Sequence, residues 1–372
     1  MIPAAAPRPA GEVRLLALDH GAAQLATVHE LPRFLARGDV VVVNDAATLP
    51  AALPATLRGE PVELRLARLT ADPRRFEAVV LGRGDHRMRT EDRPPPALAI
   101  GDELVAGATL RARVTAISPL SPRLVEIAFT PPDGDGDVTA FYSALYRVGR
   151  PVQYAHVPER LALWDVQNRW AAVPWALEAP SAGLPLRVET LLALRARGIA
   201  VVAIRHSAGL SSTGDPALDM HLPLPERWRV SRTVFARVHA ARAAGGRVVA
   251  VGTSVVRALE SAARSGGEVE GITELRLGPG TELRIVDALL TGVHEEGTSH
   301  FELLSAFASR DALRCGLELS RTAGLQGHEF GDAWLLWADL RGGRTSSSPR
   351  ASSSPASSPR RRRPAPRSSS RW

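Results

Sequence analysis

The 372-residue sequence contains a single cysteine, Cys315, and no lysine at all. One cysteine excludes an intrachain disulfide framework and fits a reducing compartment. Without lysine there is neither a Schiff-base amine nor a P-loop lysine. Arginine supplies all 46 basic side chains, a bias that reads as GC-rich coding. Apolar runs such as Val40–Val43 are far too short to span a bilayer. The N-terminal MIPAAAPRPAGEV lacks a basic n-region and an apolar h-region, so no signal peptide is expected and the cytoplasm is. Several motifs are missing as well. At His294 the zinc-protease pattern H-E-x-x-H fails, because Thr298 stands where the second histidine belongs. No G-x-G-x-x-G follows the first strand of a βαβ unit, which removes the nicotinamide and typical methyltransferase signatures. The stretch GDGDV (134–138) lacks the later Glu of an EF-hand and reads as a turn. With no Cys cluster and no ordered His/Asp spacing, no metal site is expected.

What is present supports a large folded body. Hydrophobic residues make up 45% of the chain, and the length suggests two domains or one domain with an insertion. The formal net charge of +7 is misleading. Residues 341–372 hold nine Arg and no acid, which leaves 37 basic against 39 acidic residues in 1–340. That Ser/Pro/Arg-rich tail has almost nothing apolar to bury, so disorder is expected there. Two readings of it stay open: a basic arm that holds RNA by counterion release, or a dispensable extension.

Residues 62–129 alternate in short segments, VELRLARL, FEAVVLG and LVEIAF, separated by turn material such as Asp72-Pro73 and Pro94-Pro95-Pro96. This pattern predicts an antiparallel barrel or sandwich. From Arg187 the period changes. RVETLLALRARG reads as a helix stopped at Gly198, IAVVAIRH as a strand, and SRTVFARVHAARAAGG as a helix capped by Ser231. RVVAV and SVVRALESAAR add a strand and a helix. The rhythm predicts an α/β domain with a largely parallel sheet. LPRFLARGDVVVVND, a helix and then a buried strand, belongs to the same sheet if the strand-rich part is an insertion.

Five stretches carry candidate chemistry. Asn44-Asp45 end a buried strand and either face a crevice or cap a turn. In EAPSAGLPL, Ser181 and Gly183 either bring backbone N–H groups to a ligand or sit in a plain connector. His206 and His221 bracket a Gly/Ser/Thr loop that suits a polar ligand, though each histidine taken alone reads more readily as structural. In LLTGVHEEGTSHFELLSAF, His294, Glu295 and Glu296 could serve acid–base work, or the segment is a polar loop entering a helix capped by Thr298 or Ser299. Last, VVAVGTSVVRALES runs from strand to helix. Gly252, Thr253 and Ser254 form the helix mouth, a natural anion site or an ordinary cap. Arg257 and Glu260 lie three apart on that helix and are expected as neighbours.

Taken in order, these stretches resemble the S-adenosylmethionine:tRNA ribosyltransferase-isomerases of queuosine biosynthesis. GDVVVVNDAATLPAAL, APSAGL, VGTSVVRALE, LTGVHEEGTSHFELLSAF and EFGDAWLL are each similar to a family motif, and they run collinearly from about residue 38 to 338. The resemblance implies an α/β fold: a mixed, largely parallel sheet formed by 1–58 and 150–340, an inserted antiparallel β-barrel at 59–149, and the tail at 341–372. It implies that S-adenosylmethionine acts as ribosyl donor, with no metal, toward the aminomethyl group of a deazaguanine base in tRNA. The ribosyl part becomes an epoxycyclopentane, giving epoxyqueuosine, and adenine and methionine leave. On the same ground the cofactor-binding set would be Asn44, Ser181, Gly183, His206, Gly252, Thr253, Ser254, Arg257, Glu260 and Asp332. His221, His294 and Asp45 would be the catalytic candidates, with Asp45 and Asp332 also suited to the sulfonium. The resemblance implies a cytoplasmic monomer with no membrane contact.

The loops depart from the family pattern. Pro185-Leu186 replace His-Phe after A-G-L, HSAGLSS keeps only His206 of its loop, MHLPLPE displaces Glu226, GVHEEG lacks an Asn and a Pro, and Ala52 stands in place of Arg. These loops are the ones that would touch substrate. Two alternatives therefore accompany the main reading: a paralogue using S-adenosylmethionine on a non-tRNA acceptor, and a non-catalytic binding protein on the same scaffold.

Overall fold

The computed structural model describes residues 1–19, 22–130 and 137–338. The disorder expected for 341–372, and most of the turn expected at 134–138, fall outside them. Asp137 caps the helix Val138–Val148, its carboxylate accepting from the Thr139 amide at 2.9 Å.

The run Val40–Val43 is apolar at every position because the strand is buried on both faces, as central parallel strands are. Its alternate residues feed two different cores. Val40 and Val42 pack with Val248, Ala250, Leu289 and Leu336 on one face of a sheet. Val41 and Val43 pack with Val249, Val251, Leu290 and Leu335 on the other. The sheet has nine strands in the order Glu270–Thr273, Glu226–Arg229, Ala200–His206, Val40–Asn44, Val248–Val251, Ala288–Gly292, Ala333–Trp337, Arg14–Asp19 and Ala22–Thr27. It is mixed. The four strands from Ala200–His206 to Ala288–Gly292 are mutually parallel, as are Arg14–Asp19 and Ala333–Trp337, and the remaining pairs are antiparallel.

The strand-rich segment closes into a six-stranded antiparallel barrel. Its strands are Ala52–Leu57, Glu60–Leu69, Arg75–Leu81, Glu103–Ala106, Leu110–Ile117 and Leu124–Thr130. By strand membership the barrel therefore begins at Ala52, upstream of residue 59. The helix Val138–Val148 packs Phe141, Ala144 and Leu145 into the barrel core, where Phe141 meets Phe129 at 5.1 Å between ring centroids. The outer face of the barrel is used too. Ala67, Val79, Leu81 and Leu124 pack against Leu210, Leu218, Leu222 and Leu224. The long loop after His206 is thereby pinned to the barrel wall.

Helices form where the periodicity predicted them: Val188–Ala196, Arg232–Ala243 behind the Ser231 cap, and Thr253–Arg264. Gly198 stops the first at φ +74°. The segment before Val40 is a 3-10 helix, Val28–Phe34, with Pro32 inside it; proline lacks the amide that a longer α-helix would need. No helix among the described residues is long and apolar enough to cross a membrane.

Candidate active site

The C-terminal edges of the parallel strands open into one cavity of about 1100 Å³. This is the edge where open α/β sheets present ligand sites. His206 ends one strand, Gly252 follows the next, and Thr291 and Gly292 end the third; all four line the cavity. Opposite them stand Tyr154, His156 and Glu178 from the connection between barrel and sheet, and the loop residues Gly209–Ser212. His294, His300, His328 and Glu329 complete the wall.

The helix mouth is built by backbone geometry. Gly252 has φ +91°, a region that an L side chain adopts only with strain, and its amide donates to the Leu290 carbonyl at 2.8 Å. A Cβ there would meet the Ala182 Cβ at 3.4 Å, an ordinary contact, so the backbone conformation and not crowding is what calls for glycine. No side chain caps this helix. The first amides of a helix have no intrahelical acceptor, so Thr253 and Ser254 present theirs at the positive end of the dipole. Both residues line the cavity.

Arg257, one turn further on, is 5% exposed. Its Nε donates to the Leu275 carbonyl at 3.0 Å, and its guanidinium pairs with Glu226. Burial, reinforced by Arg276, lowers its pKa to about 9, still above neutral pH. Glu226 also accepts from the Gly209 amide at 2.6 Å. His206 is 1% exposed, and burial holds its pKa well below 6.5. Its Nε2 lies 3.3 Å from Glu226 Oε2, yet neither ring nitrogen has a hydrogen-bond partner. A buried imidazole at a cavity wall with unmet donor and acceptor capacity is a ready contact for a ligand.

Two further groups have altered acidity. Glu178 accepts from the Tyr154 hydroxyl and from the Ser211 amide at 2.9 Å. Desolvation in the cavity wall nonetheless raises its pKa to about 7. His294 bonds Thr291 Oγ1 through Nε2 at 2.8 Å and stacks on His300, 4.7 Å between centroids. Desolvation keeps both neutral: His294 well below 6.5, His300 at about 4.

Of the residues expected to be catalytic or cofactor-binding, Ser181, His206, Gly252, Thr253, Ser254, Arg257 and His294 line this cavity. The rest of that set does not. Asn44 is buried and grips the next strand, its Nδ2 donating to the His206 carbonyl at 2.9 Å and its Oδ1 accepting from the His206 amide at 3.0 Å. It thus fixes the backbone of His206 from behind. Asp45 holds Arg205 through two 2.9 Å contacts. Gly183 is a packing position, where a Cβ would come within 2.7 Å of Trp170. His221 is exposed, and its carbonyl accepts from Arg276. Glu260, expected beside Arg257, is fully buried on another side of the helix. It pairs with Arg264 and accepts the amides of Arg284, Ile285 and Val286 at 2.9–3.1 Å. Three residues of helix spacing make neighbours, but here separate partners draw the two side chains apart. Asp332 is likewise consumed, by Arg8, by Arg14 and by the Gln326 amide.

Sequence reading missed Tyr154, His156, Glu178, His300, His328 and Glu329. Two carried a local signal: Glu178, the acid that opens the Pro/Gly loop, and His300, in the same stretch as His294. The rest come from distant segments; His156 and Glu329, 173 residues apart, meet at 2.9 Å. Glu295 lines the cavity but is paired with the N-terminal amine, and Glu296, outside it, pairs with Arg314.

Comparison with known proteins gives consistent matches. The model of the family described as queuosine biosynthesis protein matches residues 1–336. An S-adenosylmethionine:tRNA ribosyltransferase-isomerase of Anaeromyxobacter dehalogenans is 34% identical over 341 residues, covering 89% of this chain and 93% of that protein. The enzyme of the same name from Moorella thermoacetica is 30% identical, covering 89% and 94%. A solved S-adenosylmethionine tRNA ribosyltransferase from Thermotoga maritima, 22% identical, aligns over 90% of this chain and 96% of that one with a TM-score of 0.48.

Proposed function

The chain belongs to the queuosine biosynthesis protein family, and from that premise we propose that it is an S-adenosylmethionine:tRNA ribosyltransferase-isomerase. It transfers the ribosyl part of S-adenosylmethionine to the aminomethyl group of a deazaguanine base in tRNA and isomerises it to the epoxycyclopentane of epoxyqueuosine. Adenine and methionine are released. The observation that carries this reading is convergence. Three of the family-like stretches, APSAGL, VGTSVVR and TGVHEEGTSH, bring residues to the wall of one cavity.

The cavity supports roles for its residues. The Thr253 and Ser254 amides suit the methionine carboxylate, since a helix N-terminus favours an anion. His206, with both ring nitrogens unpartnered, suits a ribose hydroxyl or an adenine nitrogen. The acceptor amine gives up a proton when it forms its new bond, and the departing adenine takes one up. Glu178, with a pKa of about 7, is matched to that exchange: it accepts the amine proton. The neutral His294–His300 pair, in the same cavity, supplies a second relay. The transfer step is written without a metal. The enzyme acts as a cytoplasmic monomer on this reading.

Incubation with S-adenosylmethionine and tRNA bearing the aminomethyl-deazaguanine base should release free adenine and methionine in equal amounts. Release must depend on that tRNA. Binding of S-adenosylmethionine with no adenine released would favour the binding-protein alternative. Release that a small amine supports and tRNA does not would favour the paralogue.

A further inference from the structure

One cluster in the wall of the cavity is not used by the reaction just described. His156 lies in the connection between barrel and sheet, whereas His328 and Glu329 lie in the turn before the strand Ala333–Trp337. His156 Nε2 is 2.9 Å from Glu329 Oε2, and the rings of His156 and His328 are 4.2 Å apart between centroids. One donor atom from each of the three side chains lies within 4.8 Å of the other two. The backbone contributes as well. His328 has φ +67°, a left-handed conformation that among the described residues other than glycine is shared only by Arg58. Such a conformation is strained for an L-residue and tends to be retained where it serves a site.

We propose that His156, His328 and Glu329 form a binding site for a divalent transition-metal ion of the zinc class. The donor set is two imidazole nitrogens and one carboxylate oxygen, which suits Zn²⁺ or Co²⁺ better than the all-oxygen preference of Mg²⁺ or Ca²⁺. Metal–ligand bonds near 2.0 Å put tetrahedral donors about 3.3 Å apart. The exposed ring of His328 is the one with room to close the difference. Three protein ligands leave a fourth position for water or a ligand, and all three residues line the cavity.

The test uses the full-length, tag-free protein after chelator treatment, titrated with Co²⁺ and Zn²⁺ in the absence of substrate. One ion per chain is expected, with a visible Co²⁺ absorption that Zn²⁺ displaces. His328→Ala should weaken binding at least tenfold. Glu329→Gln, which keeps the shape of the side chain, should do the same and serves if His328→Ala fails to fold. Cys315→Ser, removing the lone exposed thiol, should leave binding unchanged. The proposal is overturned if no ion binds, if both cluster variants bind as tightly as the parent, or if binding is lost with Cys315. Because metal is measured without substrate, each of these results leaves the ribosyl-transfer reading untouched.

Discussion

At the scale of single residues, the cavity separates side chains whose chemistry is available from those already committed. Glu178 is the sharpest case of the first kind. Acting as a base, it must be ionised, so activity should rise with pH through about 7. Glu178→Gln should lower kcat by about 10²–10⁴-fold and remove that limb of the pH profile, while the KM for S-adenosylmethionine changes little. A parallel loss at every pH, with the limb intact, would assign the limb to another group. Glu260 is the sharpest case of the second kind. Its carboxylate is fully buried and accepts the amides of Arg284, Ile285 and Val286. Glu260→Ala should destabilise the fold by about 3–5 kcal/mol, because Arg264 and those amides lose their partner. Urea unfolding measures this. The folded fraction of the variant should still bind S-adenosylmethionine with parent affinity.

The element that decides the site is the junction of the strand Val248–Val251 with the helix Thr253–Arg264. Gly252→Ala should cost about 1–3 kcal/mol, because φ +91° with ψ 152° is a conformation essentially reserved for glycine. That strain displaces the helix mouth. The expected result is a several-fold rise in the KM for S-adenosylmethionine, with kcat less affected, read from initial rates of adenine release. This junction was legible in the sequence, because a buried run, a glycine and a hydroxyl-bearing helix start are all local signals. The barrel strands and the helices after Arg187 were legible for the same reason: period two and period 3.6 are written in neighbouring residues. The opposite wall was not. Tyr154, His156, His328 and Glu329 join this cavity only because the fold brings distant segments together, and no short-range pattern encodes that. Asn44, Asp45 and Asp332 misled for a related reason. A polar residue at the end of a strand looks alike whether it faces ligand or holds the neighbouring backbone or an arginine, as Asn44 and Asp45 do; Asp332, named on the resemblance alone, is taken up by Arg8 and Arg14.

For the whole molecule, the buried titratable groups make stability depend on pH. His206, His294 and His300 have folded pKa values below 6.5. Below 6.5 the unfolded chain binds protons that the folded chain does not, so stability falls as pH drops from 6.5 toward 4. Each group contributes at most about 1.4 kcal/mol per pH unit. Glu178 works the other way. Its folded pKa is raised from 4.5 to about 7, so it adds stability as pH falls through that window and offsets one histidine. Urea midpoints should therefore decline between pH 6.5 and 5, and the decline should steepen in Glu178→Gln. A flat profile would mean that the three imidazoles take up protons in the folded state.

The central claim is that the ribosyl carbons of S-adenosylmethionine end up on tRNA. The most direct measurement uses S-adenosylmethionine labelled in the ribose and follows the label into tRNA carrying the aminomethyl-deazaguanine base. One labelled ribosyl group incorporated per adenine released is the result expected. Adenine released with the label left in small molecules, or label reaching an acceptor other than tRNA, would contradict it.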